Sequence, residues 1–188
     1  MEFLDVVDEH GNPTGQIIER ERAHREGIRH RTSHVWLIRV ENGRPQVLLQ
    51  LRSINKDSFP GCYDISSAGH IPAGCSFEES AIRELKEELG VAVGADELVI
   101  CGDRFLSIDD SFHGKPFHDR QVSRIFYYLT DIDEKAFILQ KEEVAGVIWM
   151  DFEECFSAVR ENRIKHCIFP DELEMVKSAL RENHIFPL

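Results

Sequence analysis

The chain is expected to fold as one α/β domain spanning residues 1–188, with a sheet covered by helices. Three observations predict this. A length of 188 residues suits one sizeable core and is short for two. Runs rich in aliphatic and aromatic residues occur in mixed order with segments of helical period. No repeat, low-complexity stretch or linker separates them.

Residues 3–8 and 15–19 are predicted as short strands around the turn His10-Gly11-Asn12-Pro13, giving a β-hairpin extension over about residues 1–30. Residues 21–29 are polar and contain Gly27, which suits a loop or a short helix. Residues 34–40 (HVWLIRV) and 46–52 (QVLLQLR) are β-rich, and Asn42-Gly43 between them signals a hairpin. Residues 53–63, with Pro60 and Gly61, form a loop. Residues 76–89 form a helix, with Ser76 and Glu79 as a capping box and Gly90 as the stop. Further strands are expected over 99–107, 122–129 and 144–150, and helices over 152–160 and 171–183.

The net charge of -12 argues against a nucleic-acid binder, because polyanions are held mainly by Lys and Arg. A phosphorylated small molecule remains compatible if a bound cation supplies local positive charge. No apolar run is long enough to span a bilayer, and the N-terminus carries no secretory pattern. The cysteines (Cys62, Cys75, Cys101, Cys155, Cys167) are widely spaced without a CxxC, so they read as reduced thiols of a cytoplasmic protein.

The chemistry concentrates on the helix over 76–89. Glu84, Glu87 and Glu88 stand at i, i+3 and i+4 and therefore share one face. Ala81, Ile82, Leu85 and Leu89 form the adjoining face that packs on the sheet. Clustered carboxylates repel one another, and the C-terminal half of a helix disfavours anions. A hard cation with oxygen ligands offsets both effects, and magnesium typically uses a few carboxylates plus substrate phosphates. Arg83, four residues before Glu87, is placed to orient that carboxylate. Taken alone, Glu84-Leu85-Lys86-Glu87-Glu88 would be solvated surface charge. The preceding loop, Ala68-Gly69-His70-Ile71-Pro72-Ala73-Gly74, alters that balance because its glycines permit tight backbone conformations.

Residues 69–91 resemble the Nudix box, with Gly69, Arg83, Glu84, Leu85, Glu87, Glu88, Gly90 and Val91 all on the pattern. The resemblance implies an α/β/α sandwich with a mixed sheet between helices and a loop-helix-loop metal site. It also implies that Glu84 and Glu88 are the main magnesium ligands, with manganese an alternative ion. Glu87 completes the metal site from close by or by bridging through water, and the carbonyl of Ala68 is a further ligand candidate. One position departs: Cys75 stands where the box has its early glutamate. Glu78 and Glu79 are the nearby carboxylates available to compensate. Cys75 precedes a helix N-terminus, which lowers thiol pKa, but a filler thiol is the preferred reading.

The N-terminal half is similar to isopentenyl-diphosphate isomerase and its hydrolase relatives. The resemblance lies in Val7-Asp8-Glu9-His10-Gly11-Asn12-Pro13-Thr14-Gly15, His30-Arg31-Thr32, Leu48-Leu49-Gln50-Leu51-Arg52-Ser53 and Asp57-Ser58-Phe59-Pro60-Gly61. The isomerase's catalytic cysteine falls on Ala68 and its catalytic glutamate near Gln121. Its metal-binding histidines correspond to His24 and His30 with spacing one residue short. The resemblance therefore implies an isomerase-like scaffold with a hydrolase metal site.

The candidate catalytic residues are Arg83, Glu87 and Glu143. The base is either Glu87 or an acid ahead of the 144–150 strand, Glu142 or Glu143, since the family often draws its base from outside the box. The candidate substrate-binding residues are Arg52 and His70. His24, His30 and His34 are further pocket candidates, although each taken singly reads as structural or exposed. Phe59, Tyr63 and Trp36 are candidates for stacking on a base, with Trp36 better suited to the core. Residues 109–115 suit a loop over the substrate. The expected partner is a small-molecule diphosphate, with no nucleic-acid polymer and no membrane, and a homodimer stays open. Three functions remain: a diphosphate hydrolase, an isomerase disfavoured by Ala68 and Gln121, and a non-catalytic nucleotide- or protein-binding module.

Overall fold

A computed structural model describes residues 1–185. The chain begins with two antiparallel strands, β1 (Phe3–Val7) and β2 (Pro13–Glu19), followed by helix α1 (Arg20–Glu26). The expected extension is therefore a hairpin plus one short helix. It is fastened to the loop ahead of the glutamate helix. Ala73 N donates to Phe3 O at 2.8 Å, and Gly74 N donates to Asp5 Oδ2 at 2.9 Å. Arg31 binds the same Asp5 oxygen at 2.8 Å and Cys75 O at 3.0 Å.

The main sheet contains β3 (His30–Glu41), β4 (Arg44–Arg52), β5 (Tyr63–Asp64), β6 (Ser67–His70), β7 (Val99–Phe112), β8 (Lys115–Leu129) and β9 (Val144–Asp151). Its path runs β5-β4-β3-β8-β7, with β6 on β3 and β9 on β4. The β3–β8 pair is parallel and the others are antiparallel, so the sheet is mixed, as expected. Helix α2 (Phe77–Leu89) covers one face, and α3 (Phe152–Arg160) and α4 (Pro170–Glu182) cover the other.

The period-two alternation of a strand divides the core cleanly along β3. Val35 and Leu37 join Ala81, Leu85 and Leu89 of α2 in one cluster. Trp36 and Ile38 join Phe152, Leu173 and Val176 of α3 and α4 in the other. Trp36 is thus a core residue and not a stacking platform. Tyr63 also packs against this second cluster.

Three expectations change. Strand β3 begins at His30, four residues before the predicted start, because parallel pairing with β8 (His30 opposite Gln121) overrides its polar composition. The start of the anticipated loop is β6, held antiparallel to β3. The segment over 109–115 is the end of a long hairpin in which β7 and β8, past a bulge between Ile100 and Gly102, pair continuously to Phe112 and Lys115. Only His113 and Gly114 turn it, both at positive φ (50° and 74°), as a two-residue hairpin loop requires. Asn42-Gly43 makes the same kind of turn between β3 and β4 (51° and 75°).

Candidate active site

Helix α2 forms where its caps say it should. Ser76 Oγ accepts from Glu79 N at 3.1 Å and Glu79 Oε2 accepts from Ser76 N at 2.8 Å, closing the capping box. The helix ends at Gly90. Between these limits its carboxylate face meets the edge strand β6. Ser67 Oγ donates to Glu88 Oε2 at 2.6 Å, and Ala68 N approaches the same oxygen at 3.3 Å. Gly69 leaves the space that Glu84 fills. A Cβ at residue 69 would lie 2.2 Å from Glu84 Cδ and 2.3 Å from its Oε1.

These contacts pull Glu84 and Glu88 out of water. Burial pushes the Glu88 carboxyl up to about 8, with Glu84 beside it raising it further, against hydrogen bonds that lower it. Burial also raises Glu84, although Arg83 opposes this. Two carboxylates raised together in one low-dielectric corner are stabilised in their charged forms by a cation. Their oxygen donors match a hard divalent ion such as magnesium. Glu87, with 55% of its side chain exposed, stands at the rim.

Arg83 departs from its expected role. Its Nη2 donates to Glu84 Oε1 at 2.6 Å and to His70 O at 3.2 Å, while Glu87 lies 4.0 Å from Nε. It therefore ties Glu84 to the end of β6 more than it orients Glu87. Neither Glu78 nor Glu79 replaces the carboxylate missing at Cys75. Glu79 is spent on the helix cap, and Glu78 pairs with Arg124 at 3.5 Å.

The cleft beside the glutamates is the part of the α3/α4 sheet face that the helices leave uncovered. It encloses about 1690 Å³ and includes Ala68, His70, Arg52, Glu87 and Glu143 in its lining. Arg52 is held by Asp64 (Nη1 to Oδ2, 2.9 Å) and by Ser58 O (2.8 Å), and its buried Nε has no partner. Glu143 forms a close ion pair with Lys56, across the mouth of the cleft. Phe59 packs edge-on to Phe112 at the hairpin tip (4.9 Å between centroids), and Phe112 likewise meets Phe117 (5.2 Å). The hairpin thus reaches the cleft as predicted, but as strand.

The histidines form a group that single-residue reading undervalued. Ligand atoms of His24, His30 and His70 all lie within 4.8 Å of one another. His70 Nε2 and His24 Nε2 are 3.2 Å apart, and Asp119 Oδ1 lies 3.5 Å from His30 Nε2 and 3.7 Å from His24 Nε2. His30 Nε2 and Asp119 Oδ1 are buried without hydrogen-bond partners. His30 Nδ1 sits 2.9 Å from Ile28 O, which assigns the ring proton to Nδ1 and leaves Nε2 as an acceptor. Burial lowers His24 to about 3, and burial with nearby positive groups drives His70 well below the ordinary value. These rings are neutral at pH 7, so His70 offers a phosphate no charge. The three rings could hold a cation, and imidazole donors suit a borderline ion such as zinc. Between His24 and His30, Gly27 ends α1 in the left-handed region (φ 66°). The sequence signal was the alignment with the isomerase histidines; His70 carried none.

Fold and site together define an α/β sandwich with an acidic cradle beside an open cleft. A family model described as the NUDIX domain matches residues 29–171, and the chain belongs to the Nudix family. It is 43% identical over 156 residues to Nudix hydrolase 3 of Arabidopsis thaliana, covering 81% of this chain and 20% of that protein. It is 35% identical over 153 residues to an uncharacterised Nudix hydrolase of Clostridium acetobutylicum, covering 81% and 71%. The chain thus spans only a fifth of the Arabidopsis relative's length. The crystal structure of DR0079 from Deinococcus radiodurans shares the fold, with a TM-score of 0.67 and 23% identity over 92% of this chain and 98% of that one. Among the described residues no helix is long and apolar enough to cross a membrane.

Proposed function

We propose that the chain is a divalent-cation-dependent hydrolase that cleaves a diphosphate bond in a small organic diphosphate, such as a nucleoside diphosphate derivative. The carrying observation is the pair of buried Glu88 and half-buried Glu84, with Glu84 packed against Gly69 where a Cβ would collide with its carboxylate. Glu84 and Glu88 would hold magnesium, with Glu87 at the rim and the Ala68 carbonyl completing the donor set. Magnesium, when bound, neutralises phosphate oxygens and acidifies water. Arg83 keeps Glu84 in place through its second bond to His70 O. Arg52, anchored by Asp64 in the cleft lining, would contact the phosphates. Glu87 and Glu143 are the groups positioned to take the proton of the attacking water. Glu143 does so once substrate phosphate draws Lys56 away from it.

The histidine cluster with Asp119 supports a second cation place in the same cleft, and zinc suits its mainly imidazole donors. The isomerase reading is disfavoured by Ala68 and Gln121. The test is phosphate release, with and without magnesium, across a panel of diphosphates. Turnover is expected with magnesium and is expected to vanish in Glu84→Gln. Ligand binding without turnover would instead support the non-catalytic reading. Metal analysis of the purified protein and of His24→Ala tests the histidine place separately.

A further inference from the structure

The loop between β6 and α2 joins the proposed cation donors, the Ala68 carbonyl before it and Glu84 and Glu88 after it. Cys75 leaves this loop without the acid of the box, and neither Glu78 nor Glu79 supplies one. A carboxylate from elsewhere in the chain stands there instead. Asp5 Oδ2 accepts from Gly74 N at 2.9 Å and from Arg31 Nη2 at 2.8 Å. The same Nη2 donates to Cys75 O at 3.0 Å. One carboxylate oxygen and one guanidinium nitrogen thus grip Gly74 and Cys75 together.

The grip continues along β1. Phe3 O accepts from Ala73 N at 2.8 Å, and the fully buried Leu4 bridges antiparallel to Pro72. Three consecutive residues of β1 therefore hold three consecutive residues of the loop. On the loop's other side, Arg31 O accepts from Ile71 N at 3.1 Å, and the Arg31 guanidinium lies 5.2 Å from the ring of Phe77, the first residue of α2. The main core does not require this arrangement. Strand β1 pairs only with β2, in a sheet of their own, and Leu4 packs with Ile18 and Ala23 in a separate cluster. The hairpin also lies outside residues 29–171, which match the family model, so the brace is an addition to that domain.

A helix behaves as a rod, so the place where α2 starts sets where its carboxylates arrive. Glu84 lies eight residues past Ser76, about 12 Å along the axis. Magnesium demands near-ideal geometry, so a shifted start weakens its binding. We propose that Asp5 is a positioning residue of the cation site: it stands in for the acid absent at residue 75 and, through Gly74 and Arg31, fixes where α2 starts relative to β6. Asp5 does not line the cleft, so it acts on Glu84 and Glu88 only through the loop. The proposal rests on the reading of those glutamates as magnesium ligands.

The test is calorimetric titration of magnesium chloride into the full chain without substrate. Asp5→Ala is expected to raise the magnesium dissociation constant by about 10-fold, the low end for residues that orient ligands without binding the ion. It also strips the largely buried Arg31 of its ion-pair partner. Asp5→Asn keeps an oxygen for Gly74 and is the milder variant should the alanine chain fail to fold; a smaller rise is expected. Adding Cys75→Glu to either variant returns a carboxylate to the loop and is expected to tighten binding more than it does in the native chain. A residue that merely stabilised the hairpin would not be rescued from position 75. Thr14→Ala is the control, because it removes a 2.9 Å bond to Val6 O within the hairpin and is expected to leave magnesium binding unchanged. Native binding in both Asp5 variants, an equal loss in Thr14→Ala, or no greater gain from Cys75→Glu in the Asp5 variants would overturn the proposal and make Asp5 a fastener of the hairpin. Phosphate release separates this from the hydrolase reading. Binding that depends on Asp5 without turnover upholds Asp5 and sinks the hydrolase. Turnover with binding indifferent to Asp5 sinks Asp5 alone, and a native chain that binds no magnesium sinks both.

Discussion

Replacing Gly69 by alanine tests the cradle directly. The added Cβ would lie 2.2 Å from Glu84 Cδ and 2.4 Å from its Cγ, where ordinary contact begins near 3.4 Å. The carboxylate must therefore retreat by more than about 1 Å, because β6 is fixed by its pairing with β3. Magnesium tolerates little such error, since it demands near-ideal geometry at about 2.0–2.1 Å. Displacement on the order of 1 Å at a reacting site costs about 10²-fold in rate. The fold suffers less. Glu84 is partly exposed and can swing outward, so the overpacking cost sits near the low end of about 1–3 kcal/mol. For a chain of this size that lowers the melting temperature by roughly 2–4 °C. The assay is phosphate release over a magnesium titration, with circular dichroism as the check on folding. Gly146→Ala is the control, because a Cβ there meets nothing within 4 Å. If Gly69→Ala keeps the native rate and magnesium half-saturation, Glu84 is not a ligand whose position matters, and the cradle argument fails.

Glu88 makes metal-free stability depend on pH. Its folded carboxyl titrates at about 8 against an ordinary 4.5, so the folded state holds the proton more tightly. That contribution is full below pH 4.5 and is lost as the pH rises toward 8. Glu88→Gln should therefore raise the metal-free melting temperature at pH 8 and leave it nearly unchanged at pH 4.5; the opposite pattern in a thermal scan would refute the burial argument. Magnesium should stabilise the native chain at pH 8 and not this variant. Cys75→Glu adds an anion next to the N-terminus of α2, worth about 0.3–1 kcal/mol at an exposed site. It should lower the magnesium concentration for half-maximal activity, whereas Cys75→Ser should leave activity intact; loss of activity in the serine variant would show that the thiol takes part. Incubation with isopentenyl diphosphate should give no dimethylallyl product by chromatography, because Ala68 and Gln121 stand at the two positions that isomerisation needs.

The glutamate helix was legible because each of its signals is local: a capping box, a terminal glycine, and carboxylates at helical spacing. The hairpin between β3 and β4 was legible from Asn42-Gly43 for the same reason. What escaped depends on distant pairing. His30, Thr32 and His34 make the start of β3 look too polar for a strand, yet their polar face is the cleft floor and β8 supplies the ladder. Asp109, Asp110 and Ser111 likewise resemble a loop until His118, Phe117 and Pro116 pair with them. The histidine cluster joins α1, the start of β3 and the end of β6. Glu172 looks like an ordinary acidic first-turn residue, and only the packing of α4 reveals that it is buried against His34 and Trp36.

The placement of the β7–β8 hairpin tip separates two evolutionary freedoms. Glu84, Glu88 and Gly69 sit where helix and sheet constrain each other, so insertions there would dismantle the cradle. Phe112 and Phe117 sit near the end of a ladder that closes in a two-residue turn. Adding or removing a matched pair of residues beside His113 and Gly114, one from each strand, changes the hairpin's length by about 3.4 Å. Matched two-residue steps on each strand also keep every side chain behind them on its original face. Descendants of this fold can thus change what the rim admits in discrete length steps, without touching the residues that handle the diphosphate.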